Sequence, residues 1–301
     1  MGVNRAGVRR IVTAAVGYLF TNRLHVFIVP IVVTVFWNTV FKLPLPLEYY
    51  AMILCTTAGG YIYNMYTDVA EDAINYQAQY RLFGPDARYT KPVIALCFLA
   101  GLLLSLRAGW FFVLYGGLIH ILAVCYSAPF PVRVAGGQRF RIKEIPVIKN
   151  VYIALHWSAV LVVTPFLYVH SALPRLSVLA IAVSFGLAYF IELLWDWRDI
   201  RGDALAGVRT VPVLFGESTT IWILRGVHTV TCLVALVAAF VNDLSPGFRL
   251  AVALHLPLGL LFLEWFRRFD DKEGASHLYV VYAGLVLLVG MAWDGAVAGR
   301  S

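Results

Sequence analysis

The sequence predicts an all-α, polytopic membrane protein with nine transmembrane helices, and three observations carry that prediction. Hydrophobic residues make up 60% of the chain and charged ones only 14%, with a mean hydropathy of +0.77, well outside the range of soluble domains. Nine apolar windows recur at about the length that spans a bilayer, roughly 20 residues. The basic residues then alternate between the two sides that those windows define.

Taken in order, residues 1–23 place arginines before a short apolar run without a small-residue cleavage site. Asn22 and Arg23 lead directly into more apolar sequence, so the expected element is an amphipathic helix lying at the interface, not a removable leader. The windows follow at 24–42, 48–67, 92–107, 109–127, 150–169, 174–195, 218–241, 250–266 and 278–297. Arg107, Ala108 and Gly109 are all that separates the third from the fourth. With the amino end inside, the loops on its side hold 17 of the 24 Lys and Arg residues, the opposite side only Lys42, Arg107, Arg175, Arg249 and Arg300. That asymmetry agrees with nine spans. No polar linker divides the chain, so residues 1–301 read as one membrane domain.

Composition excludes some classes. The net charge of +7 is spread over short loops instead of one patch, which argues against a nucleic-acid partner. Cys55, Cys97, Cys125 and Cys232 stand singly inside apolar windows and read as small buried hydrophobes.

The acids are harder to dismiss. Asn64, Asp68 and Asp72 are four residues apart at the end of the second window, one face of a helix; Asp196, Asp199 and Asp203 repeat the arrangement after the sixth. Both sets fall on the inner, cytoplasmic side. The spacing shared by Asp68–Asp72 and Asp199–Asp203 hints at two related halves that face each other. Acids contribute little to topology, and polar groups at this depth usually serve function. Two facing rows of carboxylates suit Mg²⁺, which commonly sits between a few Asp side chains and substrate phosphates. Basic residues in the adjoining loops suit the phosphates themselves, although most of them need do no more than set topology. A diphosphate with a lipophilic tail, such as an isoprenyl diphosphate, satisfies both the acids and the membrane setting. Departure of the diphosphate would leave an allylic cation, sheltered by aromatic faces. Tyr61, Tyr63 and Tyr66 flank the first acids, and Tyr189, Phe190, Trp195 and Trp197 the second. Glu192, Glu264 and Asp294 are candidates for deprotonating an acceptor or for pairing with Arg225.

Around these motifs the sequence resembles the UbiA superfamily of intramembrane prenyltransferases. The resemblance rests on Asn64-x-x-x-Asp68-x-x-x-Asp72 and Asp196-x-x-Asp199-x-x-x-Asp203, on Tyr126-Ser127-Ala128-Pro129 leading to Lys143 and Lys149-Asn150, and on Gly207-Val208-Arg209-Thr210. It implies nine helices around a central cavity, and transfer of a prenyl group from an isoprenyl diphosphate to an aromatic or other lipophilic acceptor. By the same resemblance Asn64, Asp68, Asp72, Asp196, Asp199 and Asp203 coordinate Mg²⁺, while Arg81, Tyr126, Lys143 and Arg209 contact the diphosphate. The chain departs from the pattern at Met65, where many members carry a further Asp, and in the longer loop between Tyr126 and Lys143. Two other readings compete: a cyclase of the same superfamily needing no acceptor, and a cation-coupled transporter. The second is disfavoured because transporter acids sit near the bilayer midplane and these sit at one face.

Overall fold

The computed structural model describes residues 24–68, 74, 88–128, 141–270 and 272–299. The expected interfacial helix over 1–23, and Asp72 and Arg81, lie outside them. All regular structure among the described residues is helical: α1 (Leu24–Phe41), α2 (Leu47–Thr67), α3 (Thr90–Ser105), α4 (Trp110–Ser127), α5 (Ile148–Tyr168), α6 (Leu176–Arg198), α7 (Ile200–Ala206), α8 (Val211–Val241), α9 (Pro246–Arg268) and α10 (Lys272–Ala298). Seven of these are long and apolar enough to cross a membrane. The apolar part of α1 is shorter, and α2 is diluted by Tyr, Thr and Asn, so the nine predicted spans correspond to nine long helices of unequal apolarity.

Local chemistry explains the boundaries. The chain breaks between α3 and α4 through a single 3-10 turn, Leu106–Ala108, and Gly109 at φ 87°, a conformation that glycine adopts without a Cβ penalty. α8 begins seven residues before the apolar window because a short helical stretch over 211–215 precedes it, joined through Gly216 at φ 78° and ψ 170°. α5 contains a π-helical turn over Ala159–Val163. Thr164 Oγ1 donates to the Ala159 carbonyl at 3.0 Å and lies 2.9 Å from the Tyr115 hydroxyl, recovering hydrogen bonding that the wider turn disrupts.

The long helices close into a ring. Neighbours along it are α1 and α2, α2 and α3, α3 and α4, α4 and α5, α5 and α6, α6 and α8, α8 and α9, α9 and α10, with α10 returning to α1. Side chains such as Trp110, Leu114, Trp222, Val237 and Leu261 are exposed on the outside. In water such a surface would be a liability; in lipid it is the solvent-facing side. Polar residues and close glycines pin helices together inside. His228 of α8 lies 3.1 and 3.2 Å from the α9 carbonyls of His255 and Leu256. A Cβ at Gly259 would occupy the space of that imidazole. Trp37 of α1 donates to Ser184 Oγ of α6 at 2.9 Å.

Candidate active site

The carboxyl ends of α2 and α6 meet at one end of the ring, around a cavity of about 180 Å³. Asn64, Asp68, Asp196, Asp199 and Asp203 all line it, with Tyr126, Lys143, Lys149 and Arg198. The two acid sets therefore face each other, as their spacing suggested, but neither occupies a continuous helix. α2 ends at Thr67, so Asp68 is its C-cap at φ −91° and ψ 43°; α6 ends at Arg198, so Asp199 is a junction residue and Asp203 belongs to the separate short helix α7. Ending each helix within its acid motif turns the later carboxylates inward over the helix terminus.

Every described aspartate of the two motifs but one is met by a cation or amide. Lys143 Nζ bonds Asp68 Oδ1, with Arg141 Nη1 3.8 Å from the same oxygen. Lys149 Nζ lies 2.6 Å from Asp196 Oδ1 while Asn150 Nδ2 donates to Asp196 Oδ2 at 2.9 Å. Arg198 grips Asp199 with both nitrogens, Nε at 2.9 Å and Nη2 at 2.7 Å, and stacks 5.3 Å over Trp195. Ser127 Oγ donates to Asn64 Oδ1 at 2.6 Å, tying the end of α4 to the end of α2. The exception is Asp203, whose buried Oδ2 has no hydrogen-bond partner among the described residues. Burial pushes its carboxyl up to about 6, with Lys149 pulling it back and Asp196 adding to the rise.

The sequence had marked Lys143 and Tyr126, and both reach the cavity; Tyr126 stacks on Tyr152 at 5.9 Å. Arg209 does not line it and is exposed. Sequence reasoning misses Lys149, Asn150 and Arg198 as individual site residues, although the Lys-Asn pair opens an apolar span directly after the loop that carries Lys143, which is a usable signal. Of the three lone acids, Glu264 pairs with Arg225. Asp294 accepts from Ser245 Oγ at 2.5 Å and Gly247 N at 2.8 Å, at the start of α9. Only Glu192 reaches the site.

An orphaned buried carboxylate oxygen within a set of hard oxygen donors is what a small divalent cation requires, so the residues present fit Mg²⁺. Beyond the acids, Tyr61, Trp157 and Trp195 form an aromatic collar, with Tyr61 6.4 Å from Trp157 and 6.3 Å from Trp195. The collar opens on a second, almost wholly apolar cavity of about 330 Å³ between α1, α6, α8, α9 and α10.

Comparison with known proteins agrees with this architecture. A UbiA homologue from Archaeoglobus fulgidus bound to DMAPP and Mg²⁺ superposes with a TM-score of 0.66 at 17% identity, covering 93% of this chain and 98% of that one. The same homologue bound to GPP and Mg²⁺ gives 0.66 at 16% identity over 91% and 98%. The apo UbiA homologue from Aeropyrum pernix K1 gives 0.70 at 14% identity, again over 91% and 98%. No curated protein matches the sequence. The sequence does match the UbiA prenyltransferase family over residues 11–286, most of its length, and together with the ring of apolar helices this makes the chain an integral membrane protein that belongs to the UbiA prenyltransferase family.

Proposed function

We propose that the chain transfers a prenyl group from an isoprenyl diphosphate to a lipophilic acceptor, with Mg²⁺ as its cofactor and the active site at the cytoplasmic face. The observation that carries this reading is the meeting of two acid sets, three cationic side chains and an apolar chamber at one place. Solved relatives bound to DMAPP or GPP with Mg²⁺ support the donor class.

Asn64, Asp68, Asp196, Asp199 and Asp203 would hold the metal, with Asp72 following on in sequence. When bound, Mg²⁺ neutralises charge building on the departing diphosphate. Lys143, Lys149 and Arg198 already stand among these acids and supply donors for phosphate oxygens, stabilising the same charge by hydrogen bonding. Arg81 and Arg209 are proposed as further diphosphate contacts from the surrounding loops. The tail lies in the apolar chamber, and the collar of Tyr61, Trp157 and Trp195 faces the carbon–oxygen bond that breaks. Aromatic faces there stabilise positive charge without attacking it, and the chamber excludes water.

Membranes containing the protein, incubated with labelled diphosphates of several chain lengths and Mg²⁺, should yield a prenylated lipid. A hydrocarbon formed from the donor alone would instead identify a cyclase. Turnover that persists after Mg²⁺ is chelated would refute the proposal.

A further inference from the structure

Glu192 is the group in this molecule whose placement the metal site does not explain. It sits on α6 one turn before Asp196 and lines both the acidic cavity and the apolar chamber, beside the aromatic collar. It is the one carboxylate in the wall of the chamber, and no Lys or Arg joins it there among the described residues. It has no hydrogen-bonded or ion-paired partner among the described residues; the charges near it, Asp196, Lys149 and Arg198, are themselves paired. An acid so placed in an apolar wall is costly and has no structural return. Glu264 and Asp294, the other two lone acids, do have one, since Glu264 holds Arg225 and Asp294 caps α9.

We infer that Glu192 accepts the proton that the acceptor loses, and that the acceptor is a neutral hydroxyl- or phenol-bearing molecule. The inference rests on the prenyl-transfer reading above and assigns the acceptor side of it. The bond from C1 of the prenyl chain to diphosphate oxygen breaks and its electron pair leaves on the diphosphate. A lone or π pair on the acceptor forms the new bond to C1. The proton on the attacking oxygen or ring carbon passes to a Glu192 carboxylate oxygen, and from there to water in the acidic cavity. Glu192 is suited because the broken bond lies at the collar, between the cavity that holds the head and the chamber that holds the tail and admits the acceptor beside it. Acceptor charge follows from the same wall. A carboxylate or phosphate on the acceptor would place a second anion beside Glu192 in a low-dielectric chamber, with no described cation to meet it.

The test uses the full chain in detergent with Mg²⁺ and geranyl diphosphate, and two probe acceptors, a neutral 4-alkylphenol and the matching 4-carboxyphenol. Prenylated phenol and free geraniol are quantified, and donor affinity is measured by calorimetry. The wild type should prenylate the neutral phenol at least about tenfold faster than the carboxylated one. Glu192→Gln should lower that kcat by about 100-fold or more, the usual size of a general-base contribution. Donor affinity should hold, so that trapping by water makes geraniol the main product, and Glu192→Asp should restore part of the prenylation. A purely structural role would move stability or donor affinity without this change of product. The inference is overturned if Glu192→Gln prenylates at the wild-type rate, if it loses donor affinity in step with rate, or if the wild type prefers the carboxylated phenol or prenylates neither. A wild type that consumes no donor at all overturns the prenyl-transfer reading as well.

Discussion

Asp196 is the most constrained acid in the site, held by Lys149 on one oxygen and Asn150 on the other. Removing one partner of a buried pair strands the other charge. Lys149→Met is therefore expected to destabilise the protein by about 3 kcal/mol, read as a lower unfolding midpoint, and Asp196→Asn in the same protein should recover most of it. Asp203 makes a pH prediction. Its carboxyl, raised to about 6 by burial, holds its proton below that value. The folded state then binds more protons than the unfolded one between the ordinary carboxylate range and pH 6. This group therefore favours folding at pH 5 and ceases to do so above 6. Metal binding runs the other way, because it needs the carboxylate. Mg²⁺ affinity measured by calorimetry should fall as pH drops below 6, by up to about tenfold per unit, and Asp203→Asn should flatten that dependence while weakening binding. What a single position revealed in advance varied with how far away its partner lay. Asp68 and Asp196 were legible because an acid at the end of an apolar run has few structural uses. The Asn150 bond to Asp196 crosses 46 positions, and no local spacing encodes it. Arg209, marked by its motif, lies exposed in the loop after α7.

The helices themselves were legible from hydropathy, since period and length are local properties of the chain. α2 and α6 begin within a few residues of their predicted starts, and the break at Gly109 falls where the apolar pattern pauses. Helix termination within the acid motifs was not: Asp68 leaves the helix to meet Lys143 and Arg141 from a segment more than 70 positions away. The π-helical turn in α5 was equally hidden, its compensation coming from Tyr115 on another helix. Close helix approach makes a separate prediction. A Cβ at Gly186 would collide with Thr231 between α6 and α8, and one at Gly259 with His228 between α8 and α9. Either Gly→Ala change should cost about 1–3 kcal/mol by overpacking, seen as a lower unfolding midpoint. Gly226→Ala, where the added methyl meets nothing within 4 Å, should leave stability close to wild type.

Across the whole molecule, the closed ring of helices would, on the proposed function, keep a diphosphate wet and its tail dry in a single binding event. Its carboxylates and cations gather at one end, while the chamber between α1, α6, α8, α9 and α10 is apolar. Aspartates from α2 and α6 grip the same head group only if the ring brings those two helix ends together, and this joint grip is the claim on which the mechanism stands. Calorimetry of geranyl diphosphate binding to the purified protein, with and without Mg²⁺, tests it directly in Asp68→Ala and Asp199→Ala. Each substitution should abolish the Mg²⁺-dependent part of binding and all turnover, while the protein still inserts and keeps its helical content. Full Mg²⁺-dependent binding in either variant would contradict the account, since it would mean that one acid set holds the head group alone.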